Sequence, residues 1–297
     1  MREERCNFAT YHPINNFIYF LFVILATMFT VHPVFLGISL VAAIVYRIIW
    51  KGFVGIRSTL GILAFVVAIT TIGNLCLSHN GVTVFFYANG NAVTLEALCY
   101  GLAMGAMIGT VIIWFMNAQE ICTQDKFMYL FGRVAPSVAL TISMMFRFIP
   151  LLQERYHKIH QAQYAMGRGQ DKKLLPRMRQ GTKEISILIS WSLENSIDTA
   201  DSMEARGYGL KLRTNFHLYR FTGRDMVNLG IACVAGSLTW YGIFSGSAEM
   251  YYYPEMIAAE HGVMTWITGV AYLLLLLLPM MIEIKGVLQW KQLTYSK

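Results

Sequence analysis

The sequence predicts an all-α, polytopic membrane protein with about six transmembrane helices and a cytoplasmic pair of crossing amphipathic helices. Three observations predict it. The 297 residues are 56% hydrophobic and only 14% charged, with a mean hydropathy of +0.47, whereas soluble domains carry about 25% charged residues. Long stretches have no ionisable side chain, and the charges crowd into one central block and the two ends. The 24 Lys and Arg residues all fall on one side of the spans that can be drawn.

Six apolar stretches cover residues 14–31, 34–49, 60–77, 95–116, 226–243 and 263–282. Each approaches the ~17–25 residues that cross ~30 Å of hydrocarbon as a helix. The second is the shortest and reads either as a crossing of a thin region or as a tight helical hairpin with the first, turning at His32-Pro33. The start is polar for too long to be a cleavable leader and lacks a small-x-small cleavage pattern, so the first stretch is expected as a retained span. Arg2 and Arg5 precede span one; Arg47, Lys51 and Arg57 flank the loop after span two; sixteen basic residues lie between Lys126 and Arg224; Lys285, Lys291 and Lys297 follow span six. The connections at His32, 78–94 and 245–262 hold no Lys or Arg. Basic residues remain on the cytoplasmic side, which predicts both termini and the central block in the cytoplasm.

The net charge of +7 follows from this topology and comes with no nucleic-acid motif, so no nucleic-acid partner is expected. Cys6, Cys76, Cys99, Cys122 and Cys233 are scattered without pairing or metal-ligand spacing. Ionisable groups are missing from the span centres, with Glu96 and Glu283 at span ends. That excludes a self-contained secondary transporter or channel, which needs such groups at membrane depth. Asn74, Asn117 and scattered Ser and Thr form no nucleophile–base pair, so no catalytic residue is predicted. No GxxxxGK[ST] loop for ATP exists, and His157 with His160 lacks further ligands, so no metal site is predicted. Trp50, Trp114, Trp240, Trp266 and Trp290 fall near span ends and read as interfacial anchors. Gly101, Gly105 and Gly109 line one face of span four with Ala97, a stripe for internal close packing or for contact with a membrane partner.

The chain divides into residues 1–116 with four spans, a helical insertion at 117–225, and residues 226–297 with two spans. Within the insertion, prolines predict a break at Pro136 and an interruption at Pro150. A polar loop at 167–181 contains Pro176, and a further helix runs over 183–205. Leu152, Tyr156, Ile159, Gln163 and Met166 share one face; Ile185, Leu188, Ile189, Leu193, Ile197 and Ala200 share another. Ser192, Ser196 and Ala200 recur at four-residue spacing, which lets two helices cross closely, and Trp191 is expected at a helix crossing or partner surface. Two amphipathic helices lying separately on the membrane surface are the alternative arrangement.

Both helices end in small-Arg-Gly: Gly167-Arg168-Gly169 and Ala205-Arg206-Gly207. Gly terminates helices through positive φ, and Arg in the last turn meets the negative end of the macrodipole, so one such end is a cap. Two on one hairpin suit a second use. A slim helix tip enters a groove on another protein, and its Arg bonds carboxylates there.

The segment Phe146-Arg147-Phe148-Ile149-Pro150-Leu151-Leu152-Gln153-Glu154, then Ala162-Gln163, Arg168-Gly169 and Ser202-Met203-Glu204-Ala205-Arg206-Gly207-Tyr208-Gly209, resembles the transmembrane T component of energy-coupling factor (ECF) transporters, the EcfT/CbiQ family. The first tip departs from the usual Ala-Arg-Gly by Gly167, which weakens the final turn by ~1 kcal/mol. The resemblance implies two crossing coupling helices whose Arg-bearing ends dock into two ABC-type ATPases. It also implies a small membrane-embedded substrate-binding S component, toppled during vitamin or metal-ion uptake across a prokaryotic-type cell membrane. By matching positions, Arg168 and Arg206 are the ATPase-docking contacts, with Gly167, Gly169, Ala205 and Gly207 shaping the tips; the helix faces and small-residue spacing above give Ile159, Gln163, Trp191, Ser192, Ser196 and Ala200 as the residues that pack the coupling helices. The chain itself is expected to bind no cofactor, ATP and Mg residing on the ATPases. A membrane anchor for a cytoplasmic ATPase complex, without a substrate-moving role, is the alternative function.

Overall fold

The structure is a computed structural model that describes residues 8–78, 81–88, 91–167, 174–208, 219–254, 257–258 and 262–295. It separates into two units: residues up to Phe127 with those from Tyr219 onward, and Met128–Leu218 between them.

The first unit is a helical bundle: α1 (Pro13–Phe29), α2 (Pro33–Lys51), α3 (Ile56–Leu77), α4 (Leu95–Ile121), the start of α5 (Gln124–Val134), α8 (Gly223–Phe244) and α9 (Val263–Tyr295). Five helices, α2, α3, α4, α8 and α9, are long and apolar enough to cross a membrane, and α1 is a shorter apolar helix. Its 17 residues rise about 25 Å. α1 and α2 start alike. Pro occupies the first turn, where its missing N–H removes no bond, and the preceding His12 or His32 caps through its ring nitrogen, accepting from Ile14 N and Val34 N at 3.3 Å each. α1 and α2 are joined by the short turn the His32-Pro33 dipeptide predicts.

Two small hairpins interrupt the helical pattern. β1 (Val84–Ala88) pairs with β2 (Asn91–Thr94), and β3 (Met250–Tyr251) with β4 (Ile257–Ala258), both antiparallel. They lie in 78–94 and 245–262, the two longer of the three connections free of basic residues.

The glycine stripe of α4 packs inside the chain. A Cβ on Gly101 would meet Thr71 Cα at 3.0 Å, and one on Gly105 would meet Val67 Cα at 2.8 Å. The main chains of α3 and α4 therefore touch where only glycine fits. The other faces of α3 are apolar and uncovered, with Phe65, Ile69 and Ile72 exposed.

Trp114 corrects its sequence assignment. It is fully buried between Tyr19, Phe20 and Tyr46, and its indole N–H donates to Ser39 Oγ at 3.1 Å. An indole with an internal acceptor has no need of head-group water. Trp266 is exposed, Trp50 and Trp240 are half-buried, and the Trp290 side chain lies outside the described residues. Ser39 Oγ also meets Thr27 Oγ1 at 3.1 Å, which in turn bonds Tyr272 OH at 2.9 Å. Hydroxyls and one indole thus tie α1, α2, α4 and α9 at depth. A second polar tie holds the last turns of α2 and α4. Buried Arg47 donates to Thr59 Oγ1 at 2.7 Å and Asn117 Oδ1 at 3.2 Å, and lies 3.6 Å from Glu120.

The second unit holds the rest of α5, α6 (Pro136–Ala165) and α7 (Leu174–Ala205). The expected break at Pro136 is present, since α5 ends at Val134 and α6 starts at Pro136. The interruption expected at Pro150 is absent, and α6 runs through it. An internal proline forfeits one helix bond and bends the axis, but it need not end a helix. α7 also starts earlier than the pattern at 183–205 suggested. Pro176 sits in its first turn, where no N–H is required.

Candidate functional site

The predicted site comprises the paired helices α6 and α7 and their two ends. The contacts between them run in opposite chain directions. The Phe148 and Trp191 rings stack at 6.1 Å and 5°, and the Arg155 guanidinium lies 4.6 Å over the same indole. Further on, His160 Nδ1 meets Glu184 Oε2 at 3.1 Å, and Gln180 Nε2 donates to Gln163 Oε1 at 3.3 Å and Glu184 Oε1 at 3.1 Å. Glu184 is 2% and Gln163 8% exposed. The arms are antiparallel, joined by one aromatic–cation sandwich and one buried polar cluster. On the outer side of α6, Lys158 donates to Glu154 Oε1 at 2.6 Å and holds that carboxyl below its ordinary range.

The face of α7 turned inward is Gln180, Glu184, Leu188, Trp191, Ser192 and Asn195, all buried or half-buried. This differs from the face picked by hydrophobicity. Ile185, Ile189, Leu193 and Ile197 are 52–63% exposed, and Ser196 and Ala200 are exposed as well. Only Leu188 of that predicted apolar face turns inward. On α6, Ile159 is half-buried and Gln163 buried, while Tyr156 and Met166 are exposed. Of the six residues predicted to pack the arms, Ile159, Gln163, Trp191 and Ser192 lie on the inner side and Ser196 and Ala200 do not. Gln180 and Glu184 were not singled out in the sequence. Their spacing of four was the signal, since such residues share a helix face.

Both arms end in a left-handed glycine. At the end of α7, Gly207 has φ +76°, its N–H donates to Glu204 O at 2.9 Å, and Tyr208 N donates to Met203 O at 3.0 Å. These are the two reverse bonds of a Schellman cap. At the end of α6, Gly167 has φ +77° and its N–H donates to Tyr164 O at 2.9 Å. The two motifs therefore sit differently on their caps. Arg206 precedes the left-handed glycine, whereas Arg168 follows it. Gly167, standing where the motif has Ala, ends α6 two residues early. Arg168 and Gly169 themselves lie outside the described residues. Arg206 is exposed and forms no ion pair among the described residues.

Apolar spans interrupted by a helical insertion with two Arg-Gly ends define a class: a polytopic α-helical membrane protein that presents a helical hairpin. The comparisons with known proteins narrow it. The CbiQ family, described as cobalt transport protein, matches residues 12–218, and the chain belongs to that family. The chain is 32% identical over 178 residues to the energy-coupling factor transporter transmembrane protein EcfT of Listeria innocua serovar 6a, an alignment covering 53% of this chain and 67% of that protein. It is 34% identical over 94 residues to the protein of the same name from Lactobacillus helveticus, covering 31% of this chain and 34% of that one. The likeness to ECF transporter T components carried by the motifs is thus met by independent comparison.

Proposed function

We propose that this chain is the coupling subunit of an ECF-type ABC transporter. It passes ATP-driven motion from two ABC-type ATPase subunits, through α6 and α7, to a membrane-embedded S component that takes up a vitamin or metal ion. Residues 1–116 and 226–297 form the membrane part, 117–225 the coupling region, and both termini face the cytoplasm. The chain is non-catalytic, and ATP and Mg belong to its partners. The family's description refers to cobalt transport, and the names of its relatives to energy-coupling factor transport.

One observation carries the proposal. Two antiparallel helices each end in a left-handed glycine, and the described arginine at one tip is exposed and forms no ion pair among the described residues. A helix end capped by its own main chain keeps its arginine for another protein. The test is Arg206→Glu in the co-expressed complex. A charge-assisted hydrogen bond contributes about 1.5–3 kcal/mol, so loss and reversal of charge should weaken ATPase capture at least tenfold. Membrane insertion should persist. Unchanged ATPase capture would remove Arg206 from the docking site.

A further inference from the structure

The N-terminal turn of the bundle lies where the coupling region leaves and returns. Residues 121–126 form the outgoing root and 219–225 the returning one, both within the first unit. Phe8–Thr10 is a short 3-10 turn followed by the α1 cap His12.

At the outgoing root, Lys126 is only 6% exposed. Its ammonium donates to Ala9 O in the turn and to Ile121 O, at the end of α4, at 2.9 Å. A cation at a helix C-terminus meets the negative end of the macrodipole. Asn16 completes the cradle, with its amide oriented to accept from Lys126 Nζ at 3.1 Å and donate to Phe8 O at 3.2 Å. At the returning root, Asp225 is 4% exposed. One carboxylate oxygen accepts from His12 N at 2.9 Å, and the other accepts from Thr222 N at 2.9 Å and Thr222 Oγ1 at 2.6 Å. The His12 ring also meets Phe221 edge-on at 4.9 Å. The turn is held from a third side, where Phe8 N donates to Glu283 Oε1 of α9 at 3.2 Å. The roots are neighbours too: after burial, the Asp125 charge is what raises the Tyr219 phenol above its ordinary range.

We propose that residues 8–12 are a strap that clamps both roots of the coupling region to the bundle, with Lys126 and Asp225 as its positioning residues. This rests on the coupling reading above. Burying an ammonium and a carboxylate is costly unless each is fully bonded. Here each charge joins one short segment of main chain to its own root, Lys126 linking Ala9 O to Ile121 O and Asp225 linking His12 N to Thr222, at the points where slippage would dissipate the motion of the arms before it reached the membrane helices. Main-chain partners make the clamp independent of the strap's side chains at Ala9 and, for its N–H, His12.

The test uses the whole complex in nanodiscs, in a cysteine-free background, with spin labels at Gln124→Cys on the outgoing root and Ser237→Cys on α8, both exposed. Distances are recorded with ADP and after ATP–vanadate trapping. With Lys126 intact the distribution is expected to be narrow and the same in both states. Lys126→Met should broaden it and shift it on trapping, and Lys126→Arg, which keeps the donors, should restore it. Asp225→Ala, read from Arg220→Cys to Ser237→Cys, carries the same expectation at the other root and serves if Lys126→Met does not accumulate. Distributions in both variants that match the unsubstituted chain in both nucleotide states would overturn the strap. If the unsubstituted chain captures no ATPase subunit, the coupling reading fails instead, and the two failures are told apart.

Discussion

Replacing Trp191 by Ala should loosen the paired arms. The indole is half-buried, stacked on Phe148 and covered by the Arg155 guanidinium. Half of a tryptophan's surface is about 100 Å², which at about 25 cal/mol/Å² contributes roughly 2.5 kcal/mol. The ring pair adds about 0.5–1.5 kcal/mol and the cation–π contact about 0.5–1 kcal/mol. These overlap, because the covering groups are also the ones that bury the ring. About 3 kcal/mol is the expected sum, equivalent to roughly a hundredfold change in local opening. Hydrogen exchange of α6 amides between Phe148 and Gln163 reads that opening directly. Arg155→Ala alone should accelerate exchange only about two- to fivefold, and Trp191→Phe, which preserves a stack, should fall between. Less than a threefold change in Trp191→Ala would mean the sandwich does not hold the arms, and the buried cluster of Glu184, Gln180, Gln163 and His160 does so by itself.

Gly105→Ala forces a Cβ to within 2.8 Å of Val67 Cα and 2.5 Å of Thr70 Oγ1. Overpacking of this kind costs about 1–3 kcal/mol and should lower the melting temperature in detergent, while Gly61→Ala on α3, with nothing within 4 Å, should not. Gly167→Ala meets no atom within 4 Å but is strained at φ +77°, by about 1–2 kcal/mol. The expected relief is extension of α6 past residue 167, detected as slowed amide exchange there, and the absence of any change would mean the left-handed turn persists with alanine.

Membrane spans were readable because a bilayer admits few solutions: a run of apolar residues long enough, with lysines and arginines on one side, has little else to be. The turn at His32-Pro33 was readable for a local reason, since cap and proline are adjacent in sequence; His12-Pro13 repeats that pattern at the start of α1 and was not read from it. Partners far apart in the chain were not. Lys126 meets Ala9 117 residues away, and Asp225 meets His12 213 residues away. Thr222-x-x-Asp225 could have been read as the capping box of α8, but nothing near either residue points to the N-terminal turn. Trp114 was misplaced because position along a span says nothing of which way a ring points; Ser39, its acceptor, is a whole helix away. The first β-hairpin did leave a trace, with β-formers in Val84–Ala88 and Asn91–Thr94 flanking Asn89-Gly90, a pairing typical of two-residue hairpin turns. For α7 the hydrophobic pattern found the right helix and the wrong inner face. The side against α6 is built around Glu184 and Gln180, whose polarity is hidden only once His160 and Gln163 are opposite them.

That inversion bears on which partners the arms serve. Ile185, Ile189, Leu193 and Ile197 form a stripe exposed along a helix that also carries Lys183, Glu194, Asp198, Asp201 and Glu204. A contiguous apolar stripe beside charged groups fits neither plain water nor plain lipid, and marks an interaction surface. With 52–63% of each side chain still exposed, covering an isoleucine or leucine here gains roughly 1–2 kcal/mol. The stripe does not lie at the tip. At 1.5 Å per residue, Ile197 stands about 13 Å and Ile185 about 30 Å back from Arg206 along the axis. On the function proposed above, an ATPase gripping only the tip would leave most of it bare, and the membrane-embedded partner would be what covers it. Leu193→Glu should therefore release a small hydrophobic membrane protein from the purified complex while the ATPase subunits stay bound, the opposite of the pattern expected for Arg206→Glu. Loss of the ATPases from Leu193→Glu, with the membrane partner retained, would assign the stripe to the engine and leave the arms without a surface for a moving cargo protein.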